Sequence, residues 1–509
     1  MRTPRAREAT AQASIAAPVA VSSLCNRARD VASLAFVGAT KDVGALAGAA
    51  LASTFANVTG NAVVVGLSSA TVTLCGQAYG AGAHGGVGGT AQRGAVAILM
   101  ACALAGGAAW PRAAACARAM GQDGEVAEKA RAYIGGLIPG LFAYGLNATV
   151  QGYLQAIGTT RPQAYAGVLA TLAHPLWCVI FSKLGFGFVG PAYATSVSTS
   201  IVLALNVAYI AARRRVGWFR ERDEQTALRR DACWSGFSAK EMFDVDGLVK
   251  FFRLGIPGVL LMAEWWASEF LIVMAGLLPD PKVAVSAMSI YQVTNAFAFM
   301  IAVGFGVSTA TRVSHEVGAG NAPGARLAAS VAMWLIFVVE FAVALVVVAA
   351  RDRWPSVFTS DGDVKALVSK LMIPLSFYVF FDGVCCVSTS VLRGAARQAQ
   401  AAPIVLVCYY LIGLPLSAYF AFAKSSPFAS HRAVGLAVGG VVGTASHAGV
   451  MTLVALRLDW QKELDRATAL RAGKSADATE VAYRPLVDEE IESSDDDIAH
   501  DLADSTQEL

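Results

Sequence analysis

Charge is scarce in this chain. Of 509 residues only 15% are Asp, Glu, Lys or Arg, against 55% hydrophobic, and the mean hydropathy is +0.52. A soluble enzyme of this size needs a charged surface, so that composition points to lipid as the solvent for much of the molecule. Catalytic and redox signatures are missing too. The six histidines show no His-Glu-x-x-His spacing, no Walker loop occurs, and the nine cysteines are odd in number with no Cys-x-x-Cys pair. Zinc hydrolysis, ATP drive and a disulfide framework are therefore not indicated. The cysteines, including adjacent Cys385 and Cys386, read as small apolar packing residues, with no metal and no cofactor expected. His315 reads as a solvated residue at a helix end. Nothing points to a nucleic-acid partner.

What the chain has in abundance is long apolar runs. Twelve of about the length a helix needs to cross roughly 30 Å of hydrocarbon lie near residues 13–38, 45–76, 94–112, 131–157, 163–183, 188–212, 251–278, 283–311, 327–350, 366–392, 402–423 and 433–456. The expected fold is an all-α integral membrane protein of twelve transmembrane helices. Its divisions are a cytoplasmic N-terminal tail (1–12), a six-helix lobe (13–212), a cytoplasmic linker (213–249), a second six-helix lobe (250–457) and an acidic, disordered cytoplasmic tail (458–509). The linker carries Arg213-Arg214-Arg215 and Arg229-Arg230, which favour the cytoplasm by the positive-inside rule. No cleavable signal peptide is expected, because the segment after Arg2, Arg5 and Arg7 is too polar and long. The tail holds 15 acids against 5 bases and cannot pack a core.

The two lobes repeat. Residues 43–82 overlie 281–320 without a gap, matching at Ala49/Ala287, Asn57/Asn295, Gly66/Gly304, Thr71/Thr309, Thr73/Thr311 and the closing triplets Gly80-Ala81-Gly82 and Gly318-Ala319-Gly320. Ile138-Pro139 over Ile373-Pro374 and Pro18 over Pro257 fall at nearly the same offset. A duplicated hydrophobic half suits a transporter, because two similar bundles can rock around a site between them. The glycine triplets are expected to form tight turns and to hold no ligand.

Acids inside apolar runs carry the functional signal, since a charge at the bilayer centre costs about 3 kcal/mol on insertion scales. Glu264 and Glu269 lie five residues apart in the seventh span, about 140° around a helix, so they face related but separate directions. Glu340 interrupts the ninth span and Asp382 the tenth. Several acids in one bundle can share a proton, or else form a structural hydrogen-bond network. By the repeat, Asp382 overlies Asn147 and Glu264 overlies Cys25, so ionic work is expected in the second lobe. The first lobe offers a polar pocket of Asn57, Gln77, Asn147 and Gln151, with Asp30 placed to form a buried pair with Arg27 at i, i+3.

With these residues in view, the chain resembles a eukaryotic, plant- or algal-like member of the multidrug and toxic compound extrusion (MATE) family. The resemblance runs over about residues 13–457. Its carriers are Phe36-Val37-Gly38, Phe55-Ala56-Asn57-Val58-Thr59-Gly60, Leu74-Cys75-Gly76-Gln77-Ala78-Tyr79-Gly80-Ala81, Glu264-Trp265-Trp266 with Glu269, Arg312-Val313-Ser314-His315-Glu316-Val317-Gly318-Ala319-Gly320-Asn321, and Asp382 followed by Val391-Leu392-Arg393-Gly394. It implies two pseudosymmetric lobes forming a V, and antiport of organic solutes against protons, with sodium also possible. It further implies that Glu264, Glu269 and Asp382 bind solute and couple protons, beside Tyr291 and Gln292, which stand where some animal relatives have a glutamate. The stretch Asn26-Arg27-Ala28-Arg29-Asp30 departs from the mostly apolar first span of the family. The expected partners are a small organic solute, a coupling ion and membrane lipid, for a monomer in the plasma membrane or an endomembrane such as the vacuole. Two other readings are a lipid-linked precursor flippase, which predicts a cationic groove, and a non-transporting scaffold acting through its acidic tail.

Overall fold

The computed structural model describes residues 3–119, 121–216 and 230–471, and within them it is helical with no strand. Twelve long helices succeed one another: α1 Pro4–Gly38, α2 Val43–Gly80, α3 His84–Ala119, α4 Gly124–Ala156, α5 Arg161–Phe181, α6 Gly190–Val216, α7 Val245–Ala275, α8 Pro281–Gly318, α9 Ala322–Ala350, α10 Gly362–Gly394, α11 Gln398–Phe422 and α12 Arg432–Leu456. A shorter one, α13 Trp460–Arg471, comes last. Nine stretches among the described residues are long and apolar enough to cross a membrane, with α5 and α6 counted as one stretch that Gly185 (φ 86°) divides. The two helices outside those nine, α1 and α4, take their places by packing. α1 lies on α5 and α8, and α4 on α2, α3 and α6.

Local chemistry sets the helix starts. Asp42, Asp123, Asp244, Asn321 and Asp361 each accept a hydrogen bond from a first-turn backbone N–H. Interior prolines are tolerated in α1, α4, α5, α10 and α11, but α7 breaks. Four residues after Pro257 the chain turns at Leu261–Met262 before resuming at Ala263, one residue ahead of Glu264.

Two six-helix lobes, α1–α6 and α7–α12, meet along α1, α2, α7 and α8 in a V. The closed end holds the C-termini of α2 and α8. There Gln77 Nε2 donates to the Gly394 carbonyl at 3.2 Å and Thr73 Oγ1 to the Arg393 carbonyl at 2.9 Å. Arg312 on α8 grips Glu8 on α1 with Nη2–Oε2 at 2.7 Å and Nε–Oε1 at 3.0 Å, and reaches Glu316 at 3.0 Å. His315, expected to be solvated, is half-buried instead. Its Nε2 donates to the Ala156 carbonyl at 2.5 Å and its ring lies 4.9 Å from that of Tyr79, because the helix ends cross too closely to leave it in water.

Three expected boundaries move. The second lobe begins at Val245 rather than 250. Within the expected linker, Cys233 is buried among Cys75, Val87, Tyr153 and Leu154, so residues just before α7 dock under the first lobe; residues 217–229 lie outside the described part. The tail expected from 458 starts with an ordered helix. Glu463 and Arg466 of α13 are buried, with Arg397 Nε to Glu463 Oε1 at 2.9 Å, Arg466 Nη1 to Glu463 Oε2 at 3.0 Å and Arg466 Nη2 to the Ala396 carbonyl at 2.7 Å. Leu464 and Ala467 add an apolar face at helical spacing. Residues 472–509, with most of the acidic run, lie outside the described part.

Candidate functional site

The break in α7 sends its two acids to different partners. Glu264, in the first turn after the break, points into the second lobe, where its carboxyl is set against the Asp382 carboxyl of α10 and the Tyr409 hydroxyl of α11. Asp382 is buried and also meets Asn295 of α8. Two carboxyls in contact in apolar surroundings are stable with a proton held between them, because the pair cannot cheaply carry two negative charges.

Glu340 joins this cluster from α9. It is 1% exposed, neither carboxyl oxygen has a hydrogen-bond partner, and its side chain lies so close to Gly383 that a Cβ there would overlap it. Tyr291 is buried beside the same acids, its ring edge-on to Tyr378 at 6.2 Å and its hydroxyl without a partner. A sixth helix closes the cluster: His447 of α12 sits with Nδ1 3.7 Å from Glu264 Oε2 and its ring edge-on to Tyr409 at 5.5 Å.

Glu269 stands apart. It is half-buried and faces Arg27 of α1 across the cleft between lobes. Arg27 and Asp30 form the expected i, i+3 pair, at 3.9 Å, but the pair is not buried. Asp30 is 53% exposed. Arg29, on the opposite face of the same helix, turns into the first lobe and donates to Asn26, Thr171 and the Gly167 carbonyl. Gln292 does not enter the acid cluster; its Nε2 donates to the Ser268 carbonyl at 2.8 Å and ties α8 to α7 beside Glu269.

The first-lobe residues expected to share one pocket each make their own contacts. Asn57 accepts from Asn61 one turn on at 2.8 Å within a π-helical stretch of α2. Asn147 accepts from Asn206 of α6 at 3.0 Å, a buried link between α4 and α6. Gln151 is half-buried with its amide nitrogen unpartnered, and Gln77 belongs to the closed seam. Asn147 and Gln77 thus hold helices together, one within the first lobe and one across the closed seam.

Sequence reasoning missed His447, Tyr378, Tyr409, Gly383 and the Glu8–Arg312 grip. Of the second-lobe neighbours only Asn295 carried a sequence signal, as the repeat partner of Asn57. The others come from helices distant in the chain, so no spacing announces them.

The MatE family profile matches the chain twice, at residues 18–180 and 258–419, once in each lobe. Among curated proteins, Protein DETOXIFICATION 38 of Arabidopsis thaliana is 31% identical over 409 residues, covering 80% of this chain and 76% of its own. Protein DETOXIFICATION 17 of the same plant is 32% identical over 468 residues, covering 91% and 92%. Among solved structures, the eukaryotic MATE transporter AtDTX14 superposes with a TM-score of 0.81 at 30% identity, over 91% of this chain and 98% of that one. The Vibrio cholerae MATE transporter VcmN shares the fold at 17% identity, with a TM-score of 0.78 over 90% and 100%.

Proposed function

The chain belongs to the MATE family of multi-pass membrane transporters, and from that premise we propose that it is a proton-coupled antiporter that exports organic solutes by alternating access. The observation that carries this reading is the contact between Glu264 and Asp382, brought together from α7 and α10 inside the second lobe. A proton entering that pair changes its charge, and the break in α7 beside Glu264 gives the change a hinge to act on. Solute enters the cleft between lobes, where Glu269 and Arg27 face each other at the first lobe's edge.

The exchange requires that protonation and solute binding favour different states, since a ligand shifts an equilibrium only by its differential affinity for the two. A membrane potential adds about 2.3 kcal/mol per charge per 100 mV, enough to bias states a few kcal/mol apart. Solute and proton are the partners this reading requires, with sodium as the competing coupling ion. An acid-rich second lobe does not favour the cationic groove that a lipid-linked precursor flippase needs.

The test is uptake into proteoliposomes under an imposed pH gradient, across cationic, phenolic and organic-acid solutes, with a sodium gradient as control. Proton-driven flux that Glu264→Gln and Asp382→Asn each reduce at least tenfold is expected. Flux driven by sodium alone would replace the proton with sodium; no flux of any solute by a folded protein would overturn the reading.

A further inference from the structure

Three unlike donors converge in the second lobe from three helices. Glu264 of α7, Cys385 of α10 and His447 of α12 bring a carboxylate oxygen, a thiol sulfur and an imidazole nitrogen within 4.8 Å of one another. We propose that these residues form a binding site for one soft divalent cation of the zinc or cadmium class, and that its occupancy blocks transport.

The imidazole is the independent pointer. His447 is 1% exposed, and neither ring nitrogen has a hydrogen-bond partner. A buried polar group left unpaired costs about 1–3 kcal/mol. His174, buried in the first lobe, shows the contrast: it meets Ser33 and Ser198 at 2.9 Å each. The Nδ1 of His447 stands 3.7 Å from Glu264 Oε2, too long for a hydrogen bond. In a tetrahedral zinc site, bonds of about 2.1 Å to nitrogen or oxygen and about 2.3 Å to sulfur place donors about 3.4–3.6 Å apart. One pair is therefore already near the right separation, and the third donor closes by about an ångström through a rotation of side chains. The thiol now donates to the Asp382 carbonyl at 3.1 Å.

Chemistry selects the ion. Sulfur and imidazole suit zinc and cadmium, whereas sodium, magnesium and calcium take oxygen shells. The surroundings suit a cation: the carboxyls of Glu264, Asp382 and Glu340 cluster here, with the guanidinium of Arg393 near the imidazole. Binding is an exchange without redox change. The Cys385 S–H bond breaks, a metal–sulfur bond forms and that proton leaves to solvent, while Glu264 ligates as carboxylate, the proton of the Glu264–Asp382 pair stays on Asp382, and water fills the fourth position. The block rests on the proton-coupling reading above, because the ion would hold Glu264; the binding itself does not.

The test uses the full chain purified in detergent without chelator. Cadmium is titrated while thiolate-to-metal absorption is followed, and the zinc complex at one equivalent is examined by X-ray absorption. One equivalent with one sulfur and nitrogen/oxygen neighbours is expected, with sulfur lost from the shell in Cys385→Ser and affinity falling at least about tenfold in His447→Gln. A shell without sulfur in the parent, or unchanged affinity in both variants, overturns the site. If Cys385→Ser does not fold, the parent's shell and His447→Gln decide. Zinc inhibition of solute flux, taken against each variant's own metal-free rate, should weaken in both; equal potency in all three proteins overturns the block.

Discussion

Gly80 and Gly318 press against each other's helices in matching fashion: a Cβ on Gly80 would overlap the His315 carbonyl, and one on Gly318 would overlap the Gln77 carbonyl. Each glycine meets the residue three positions before its counterpart, so the internal repeat becomes a two-fold crossing at the closed end of the V. Both helices then end in a left-handed glycine, Gly82 at φ 75° and Gly320 at φ 71°. Gly80→Val and Gly318→Val should each wedge the lobes apart there. Spin-label distances between α2 and α8 should lengthen by several ångströms and transport should fall at least tenfold, with helical content unchanged. Unaltered distances would show that this crossing does not close the molecule.

The Glu8–Arg312 grip gives a pH dependence outside the membrane core. Burial alone would raise the Glu8 carboxyl, but the Arg312 guanidinium and the Gln12 amide outweigh it and hold Glu8 below its ordinary 4.5. A depressed carboxyl stabilises the closed end fully above its ordinary value, and that contribution is lost as pH falls through the depressed one. The grip should stay intact at pH 6–8 and release only in acid well below 4.5. Glu8→Gln should remove this acid step and loosen the α1–α8 contact at neutral pH, as read by cysteine cross-linking between the two helices.

Removing α13 should cost stability, while removing only residues 472–509 should not. Cutting the chain after Arg457 strips away the apolar face of Leu464 and Ala467, while Glu463→Ala leaves Arg397 buried without its carboxylate, and breaking a buried ion pair from one side costs about 3–5 kcal/mol. Thermal unfolding in detergent should shift down by several degrees for that truncation and for Glu463→Ala. A cut after Arg471 should leave both stability and solute flux intact; loss of flux there would favour a role for the acidic tail.

Gly383 should be needed only because Glu340 lies on it. Gly383→Ala should destabilise the second lobe by about 1–3 kcal/mol through overpacking, and Glu340→Ala in the same chain should recover most of that loss. Additive losses in the double variant would show that the two sites do not touch.

Much of this architecture was legible in the sequence, for a physical reason. Apolar length and internal repetition are one-dimensional signals, so twelve helices, two lobes and the glycine turns could be read directly. The acids could be found because each interrupts an apolar run. What could not be read was their grouping. Glu264 and Asp382 come together while Glu269 turns away to Arg27, an outcome set by the turn at Leu261–Met262, and Pro257 alone does not say whether its helix breaks. Likewise the helix at Trp460–Arg471 hid in an acidic segment, because its ordering depends on Arg397, more than 60 residues earlier.

Whether Glu264 and Asp382 exchange a proton for solute can be measured without a membrane. Purified protein in weakly buffered detergent solution is titrated with a transported solute while released protons are followed. Antiport at this pair predicts about one proton released per solute bound by the parent, and none by the Glu264→Gln/Asp382→Asn double variant. Solute binding that releases no proton, and whose affinity does not change with pH, would contradict it.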